Sequence, residues 1–195
     1  MISSNLNNYV KALIPNTYTI FGVKLKPFSL GHYFLMKRFE CKFAEEDSNI
    51  TGGFDDILLA IAICSRNYEQ FLEWIDSKEE FDSWCTEWGM QMHKALKKNS
   101  INVLEHIDQF RLYMRDSIMI PKVWNNKDSE AETRSGSHWS QNIYTVLVSK
   151  LGYSQTEALN IPLSQAFYDF YKYLENEGVV TFMEEWELEE INSKE

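Results

Sequence analysis

Between Pro162 and Gly178 the apolar residues Leu163, Ala166, Phe167, Phe170, Tyr171 and Leu174 recur at i, i+3, i+4, i+7, i+8 and i+11. A stripe of that period fits one face of a helix and nothing else in the structural repertoire. Its ends are marked as well: a proline suits the first helical position, and a glycine suits the stop. The same logic repeats upstream. Phe81, Trp84, Cys85, Trp88, Met92 and Leu96 form a second stripe, preceded by Ser77-Lys78-Glu79-Glu80, a capping-box pattern. Ile143, Val146, Leu147 and Leu151 form a third, stopped by Gly152 and followed by a second box at Ser154–Glu157.

The rest of the chain follows the helical rhythm with few exceptions. Ser29 is placed to cap a helix to about Phe43, with Leu30, Tyr33, Phe34, Lys37 and Cys41 on one face. From Phe54 to Cys64 apolar residues crowd all sides, the mark of a buried central helix, and "YEQFLEWI" at 68–75 adds one or two turns. Ser100 is a candidate cap for a helix presenting Leu104, Ile107 and Met114, with Phe110 and Tyr113 alongside, that ends before Pro121. Only 8 Gly and 4 Pro in 195 residues suit long helices.

One stretch breaks the period. In "TYTIFGVKLKPF", Tyr18 and Ile20 alternate with threonines, and Val23 and Leu25 with lysines, around Phe21-Gly22. That is a two-stranded hairpin, too small to stand alone in water, so it must pack on helices. The expected fold is therefore mainly α, a helical bundle with a small N-terminal β-hairpin. Residues 1–16 read as a polar leader with one helical turn. Residues 121–138 are polar apart from Val123 and Trp124 and lack periodicity, as a functional loop or linker does. The expected division is 1–120, a loop at 121–138, and a helical lobe at 139–195 packed on the first part.

The candidate chemistry is sparse. No phosphate loop, dinucleotide fingerprint, nucleophile elbow or H-E-x-x-H helix is present. His32, His93, His106 and His138 have no His or Cys at zinc-ligand spacing and read as surface or capping residues. Cys41, Cys64 and Cys85 read as small core residues. Asp55-Asp56 complements a helix N-terminus. The expectation is a non-enzyme with no catalytic residue, cofactor or metal. The N-terminus lacks a basic region before an apolar run, and the longest apolar run is Ile57–Cys64, so the expectation is a soluble intracellular protein.

Charge narrows the partners. With 19 Lys+Arg against 29 Asp+Glu the net charge is −10, which opposes broad binding to nucleic acid or an anionic membrane. Lys24, Lys26, Lys37, Arg38 and Lys42 against Glu40 make one basic zone of +4, read as an outward strand and helix surface. Residues 179–195 carry six glutamates against Lys194, and read as a docked amphipathic helix or a partner-binding tail. The aromatic count is high, with 12 Phe, 10 Tyr and 6 Trp. Those beside polar segments are the candidate partner anchors: Trp124, Trp139, Phe182 and Trp186. Trp139 is equally placed to staple the helix that Ser140 begins.

Three stretches carry a family resemblance: "YTIFGVKLKPFSLGHYFLMKRF" at 18–39, "AICSRNYEQFLEWI" at 62–75, and "HWSQNIYTVLVSKLGYSQTEALNIPLSQAFYDFYKYLENEG" at 138–178. Together they resemble proteins encoded beside tail genes in tailed phages and prophages, and the last resembles helical tail assembly chaperones. The resemblance covers about half the chain, in patches made of caps and packing residues. It implies a non-enzymatic assembly factor in the host cytoplasm that binds the tape-measure protein, with a homo-oligomer possible. The long central loop and the hairpin depart from a minimal chaperone and keep a structural virion subunit, in the tail or connector, as the alternative. A small nucleic-acid-binding regulator acting through the basic zone is a third reading.

Overall fold

The computed structural model describes residues 4–44, 53–97, 102–126 and 137–184, together with 186, 187 and 190. In chain order the elements are α1 (Ser4–Leu13), β1 (Thr19–Ile20), β2 (Val23–Lys24), α2 (Leu30–Arg38), a 3-10 turn (Lys42–Ala44), α3 (Phe54–Cys64), α4 (Tyr68–Asp76), α5 (Lys78–Lys97), α6 (Val103–Ser117), β3 (Val123–Asn125), α7 (Trp139–Ser149), α8 (Gln155–Asn160), α9 (Leu163–Asn176) and β4 (Val180–Phe182). The fold is mainly helical with a small antiparallel hairpin near the N-terminus, as the patterning predicts. It forms two compact units, one of Asn16–Arg115 and one of Met1–Pro15 with Asp116–Glu195. The sequence pattern divides the chain at 121–138; the units divide it earlier and assign the N-terminal residues to the C-terminal part.

In the Asn16–Arg115 unit the hairpin turns at Phe21 and Gly22, with φ of 47° and 77°. Positive φ at both central residues makes a turn whose twist matches its strands. The helices hold the hairpin as its size demands. The Lys26 N–H donates to the Cys64 carbonyl at 2.8 Å. The Tyr113 hydroxyl donates to the Lys26 carbonyl at 2.8 Å, and its ring packs edge-on against Tyr18. Ile57, Ala60, Ile61, Ala62, Ile63 and Cys64 are buried, so α3 is the central helix its composition predicts. Asp56 is its capping acid: it accepts from Gly53 N–H at 2.8 Å and from Lys42 N–H at 3.2 Å.

Several expectations in this unit are corrected. Helix α2 ends at Arg38 and not near Phe43, because Glu40 takes φ 54° and turns the chain. Its buried side includes Leu35 and Met36, while Lys37 is exposed. The box at Ser77 does not form: Ser77 closes α4 with ψ 74°, away from the extended backbone that aims a hydroxyl at the next helix. Asn102 caps α6, its Oδ1 accepting the Glu105 N–H at 3.4 Å. Leu104 is 72% exposed, and the buried side of α6 is Phe110, Tyr113 and Met114. Cys41 and Cys64 are core residues, but Cys85 is exposed. The side chains of His93 and Leu96, and all of Ser100, lie outside the described residues.

In the second unit α7 and α9 pack together, and α1 lies on α9. The leader is thus a ten-residue helix: Ala12 is fully buried, its carbonyl accepts the Ser164 hydroxyl at 3.2 Å, and Tyr9 meets Tyr168. The box at Ser154 forms as predicted, Ser154 Oγ accepting the Glu157 N–H and Glu157 returning to the Ser154 N–H. Pro162 stands just ahead of the first helical residue of α9, its carbonyl accepting the Ala166 N–H at 3.0 Å. Gly178, φ 75°, ends the helix; its own N–H reaches the Glu175 carbonyl and the Val179 N–H reaches Leu174. The tail then departs from expectation. Val180–Phe182 is a strand, paired with a strand inside the stretch expected to be loop. Residues 127–136 of that stretch lie outside the described residues.

Candidate partner-binding surface

Strands β3 and β4 pair antiparallel, with Val123 opposite Phe182, Trp124 opposite Thr181 and Asn125 opposite Val180. The ladder extends at both ends: Asn126 N–H donates to the Val179 carbonyl and Met183 N–H to the Lys122 carbonyl. The Asn126 side chain clamps one end, donating to the Gly178 carbonyl at 2.8 Å and accepting from the Thr181 hydroxyl at 3.1 Å. Alternation along the strands then sorts the side chains. Val180 is buried, and the Phe182 ring stacks on Tyr168 of α9 at 6.3 Å. Trp124 and Thr181 face out, Trp124 with 48% of its surface exposed. Ile118 and Ile120, two-residue steps ahead of it, are exposed as well.

The exposed indoles are bracketed by carboxylates. Trp124 Nε1–H donates to Glu187 Oε1 at 3.0 Å. The other oxygen of Glu187 accepts the Glu184 N–H at 2.7 Å, and Glu184 Oε2 accepts Trp186 Nε1–H at 3.3 Å. Trp186 is 60% exposed. An indole that donates to a carboxylate keeps a more electron-rich face, which favours a cation above it.

Two of the four candidate anchors are thus presented and two are engaged. Trp139 stacks on Phe167 at 5.3 Å, and the Phe182 ring faces Tyr168 with Lys172 Nζ 5.9 Å from its centroid. Trp139 does not form the staple expected of it: His138 is the cap, its Nδ1 accepting the Ser140 N–H, so Trp139 is the first residue of α7 rather than the residue before its cap, and its ring packs on α9 instead. Elsewhere in this unit Tyr153 donates to Asp169 at 2.8 Å. Burial, with that bond, pushes the Tyr153 phenol up to about 12, and burial lifts the Asp169 carboxyl above its ordinary range.

In the other unit Lys24, Lys26, Lys37, Arg38 and Lys42 are all exposed, an ordinary solvated surface by position. A second aromatic cluster joins α4 and α5, with Trp74 meeting Phe81 and Trp84, and Trp84 meeting Trp88. The Arg66 guanidinium lies 3.6 Å from the Trp74 centroid. No sequence motif marks Arg66; the one local signal is an arginine just before a tryptophan-bearing helix. Among the described residues no group of three or more His, Cys, Asp or Glu is placed to hold a metal ion. Among them, too, no helix is long and apolar enough to cross a membrane.

The sequence matches no protein-family model, and no curated protein or solved structure matches it.

Proposed function

We propose that this chain is a non-catalytic assembly factor of tailed phages, a tail assembly chaperone that holds a segment of the tape-measure protein in the host cytoplasm. The supporting observation is the pair of outward indoles, Trp124 and Trp186, on one acidic surface of a firmly built unit. Half-exposed tryptophans leave apolar area in water that a partner recovers on binding, and tryptophan is the residue most enriched among interface anchors. The acidic surroundings keep such a surface soluble between clients. The patches at 18–39, 62–75 and 138–178 supply the phage-tail part of the reading.

Co-expression with tape-measure fragments tests it. The expected result is that fragments insoluble alone become soluble and co-purify with this protein, and that Trp124→Ala with Trp186→Ala abolishes the capture. Fragments that stay insoluble and unbound end the chaperone reading. Finding this chain in purified particles replaces it with the structural-subunit reading.

A further inference from the structure

We propose that the outer edge of β3 receives an extended, lysine- or arginine-bearing strand of the partner protein, with Trp124 and Trp186 taking its cationic side chains. The proposal rests on the partner-binding reading above and names how the partner is held.

The phase of the β3–β4 ladder carries the first step. The bonds from Asn126 to Val179 and from Met183 to Lys122 fix which residues point into the pair. Antiparallel bonding alternates, so Trp124 bonds with Thr181, while Val123 and Asn125 turn their N–H and C=O groups away from β4. Phe182, opposite Val123, verifies the phase: its N–H points away from β3 and donates to Glu175 Oε1 at 3.2 Å. The outer edge of β4 is thus answered by α9, where Lys172 and the Phe182 amide hold the Glu175 carboxyl below its ordinary range. The outer edge of β3 has no such answer among the described residues. An edge with unpaired alternate groups is a template for an added strand.

The second step is the chemistry of the occupant. A strand added there would bond to Val123 and Asn125, so its residue beside Trp124 would sit in a non-hydrogen-bonded pair. Side chains approach most closely in such pairs. That residue's side chain would lie on the outer face with the Trp124 ring. The indole N–H edges there donate to Glu187 and Glu184, which leaves the ring faces open and more electron-rich. Among the described residues, the charges that touch the two indoles are the carboxylates of Glu187 and Glu184, with Lys122 exposed on β3's approach and Lys172 paired with Glu175 on the Phe182 side. The balance favours a cationic strand over a neutral or acidic one.

The test uses the full-length protein and a synthetic peptide alternating lysine and valine, titrated while backbone amides are followed by NMR. The expected result is saturable binding that weakens with salt and moves the Val123 and Asn125 amides. Trp124→Ala weakens it by at least about tenfold, and Glu187→Gln, which keeps an acceptor for the Trp124 indole, weakens it several-fold. N-methylation of alternate peptide residues abolishes it. No binding at millimolar peptide, equal binding by a glutamate-valine peptide, or indifference to N-methylation overturns the proposal. Tape-measure fragments that bind undiminished by Trp124→Ala would overturn the edge and leave the assembly reading standing. Peptide binding with the full pattern, but no tape-measure capture, would do the reverse.

Discussion

The Nε2 of His32 lies 2.6 Å from the Arg66 carbonyl oxygen, while its Nδ1 faces the Ser29 N–H at 3.2 Å. The two contacts assign the tautomer: Nε2 carries the proton and Nδ1 accepts. This histidine is therefore a buried third residue of a capping box, tying the start of α2 to the connector after α3.

Burial holds the His32 imidazole down to about 4 from an ordinary 6.5. The unfolded chain thus binds a proton more readily than the fold between those values. Stability from this group is complete above 6.5 and is lost as pH falls through the window toward 4. At about 1.4 kcal/mol per unit, the loss is about 3 kcal/mol. Urea unfolding at stepped pH measures it. His32→Gln is the matched control, because Gln70 fills the same box position in α4 by accepting the Asn67 N–H. The variant should flatten the curve in that window; an unchanged slope would remove His32 as its source.

Glu40 ends α2 in a left-handed conformation, φ 54°, with its N–H on the Lys37 carbonyl and the Cys41 N–H on Met36. That is the position where glycine is usual, since a side chain there is strained. Glu40→Gly should raise stability by about 1 kcal/mol, read as a higher denaturant midpoint at unchanged m-value. Glu40→Ala, which keeps the Cβ, should show no gain, and equal gains from both would point away from backbone strain.

Phe21 presents the opposite balance. Its φ of 47° costs about 1–2 kcal/mol for a non-glycine residue. Its ring is 5% exposed and sits 4.3 Å from the His106 ring, a burial contributing about 1.5–3 kcal/mol. Phe21→Ala should cost about 3 kcal/mol, since it loses the ring and keeps the strain. Phe21→Asn, which suits positive φ, should cost less than alanine but still destabilise. Asparagine matching wild type in thermal unfolding would show that strain outweighs the ring.

These positions also show what a sequence can display. Caps and stripes are local, so Ser29, Ser154, Gly178 and the α9 face follow from residues a few places apart. The β3–β4 pair does not, because two three-residue strands are too short for a period-2 pattern and their partners lie far apart in the chain. Helix α1 was hidden by the polar letters between its apolar ones, and only docking on Tyr168 and Ser164 reveals its inner face. Among the candidate anchors, composition marked all four, but only tertiary placement separates outward Trp124 and Trp186 from stacked Trp139 and Phe182.

Among the described residues the Trp88 indole N–H is buried with no hydrogen-bond partner. A buried unpaired donor costs about 1–3 kcal/mol, whereas truncating a packed tryptophan usually loses about 3–5 kcal/mol. Trp88→Phe removes the donor and keeps a ring against Trp84. The variant should lie within about 1 kcal/mol of wild type. A loss of the full truncation size in urea unfolding would mean that the ring's volume, and not the orphan N–H, governs the site.

The cysteines should separate by access. Cys41 and Cys64 are buried and Cys85 is exposed. Burial also pushes the Cys64 thiol far up, so neither its access nor its charge favours reaction. The Cys85 thiol is raised too, by partial burial and by Asp82, so it should react slowly at neutral pH and faster as pH rises. A thiol reagent on the native protein should therefore modify one cysteine, and urea should release the other two. Cys85→Ser should abolish the native reaction while leaving the denatured one. Native modification of more than one thiol would place Cys41 or Cys64 within reach of solvent and contradict the burial of the α3 face.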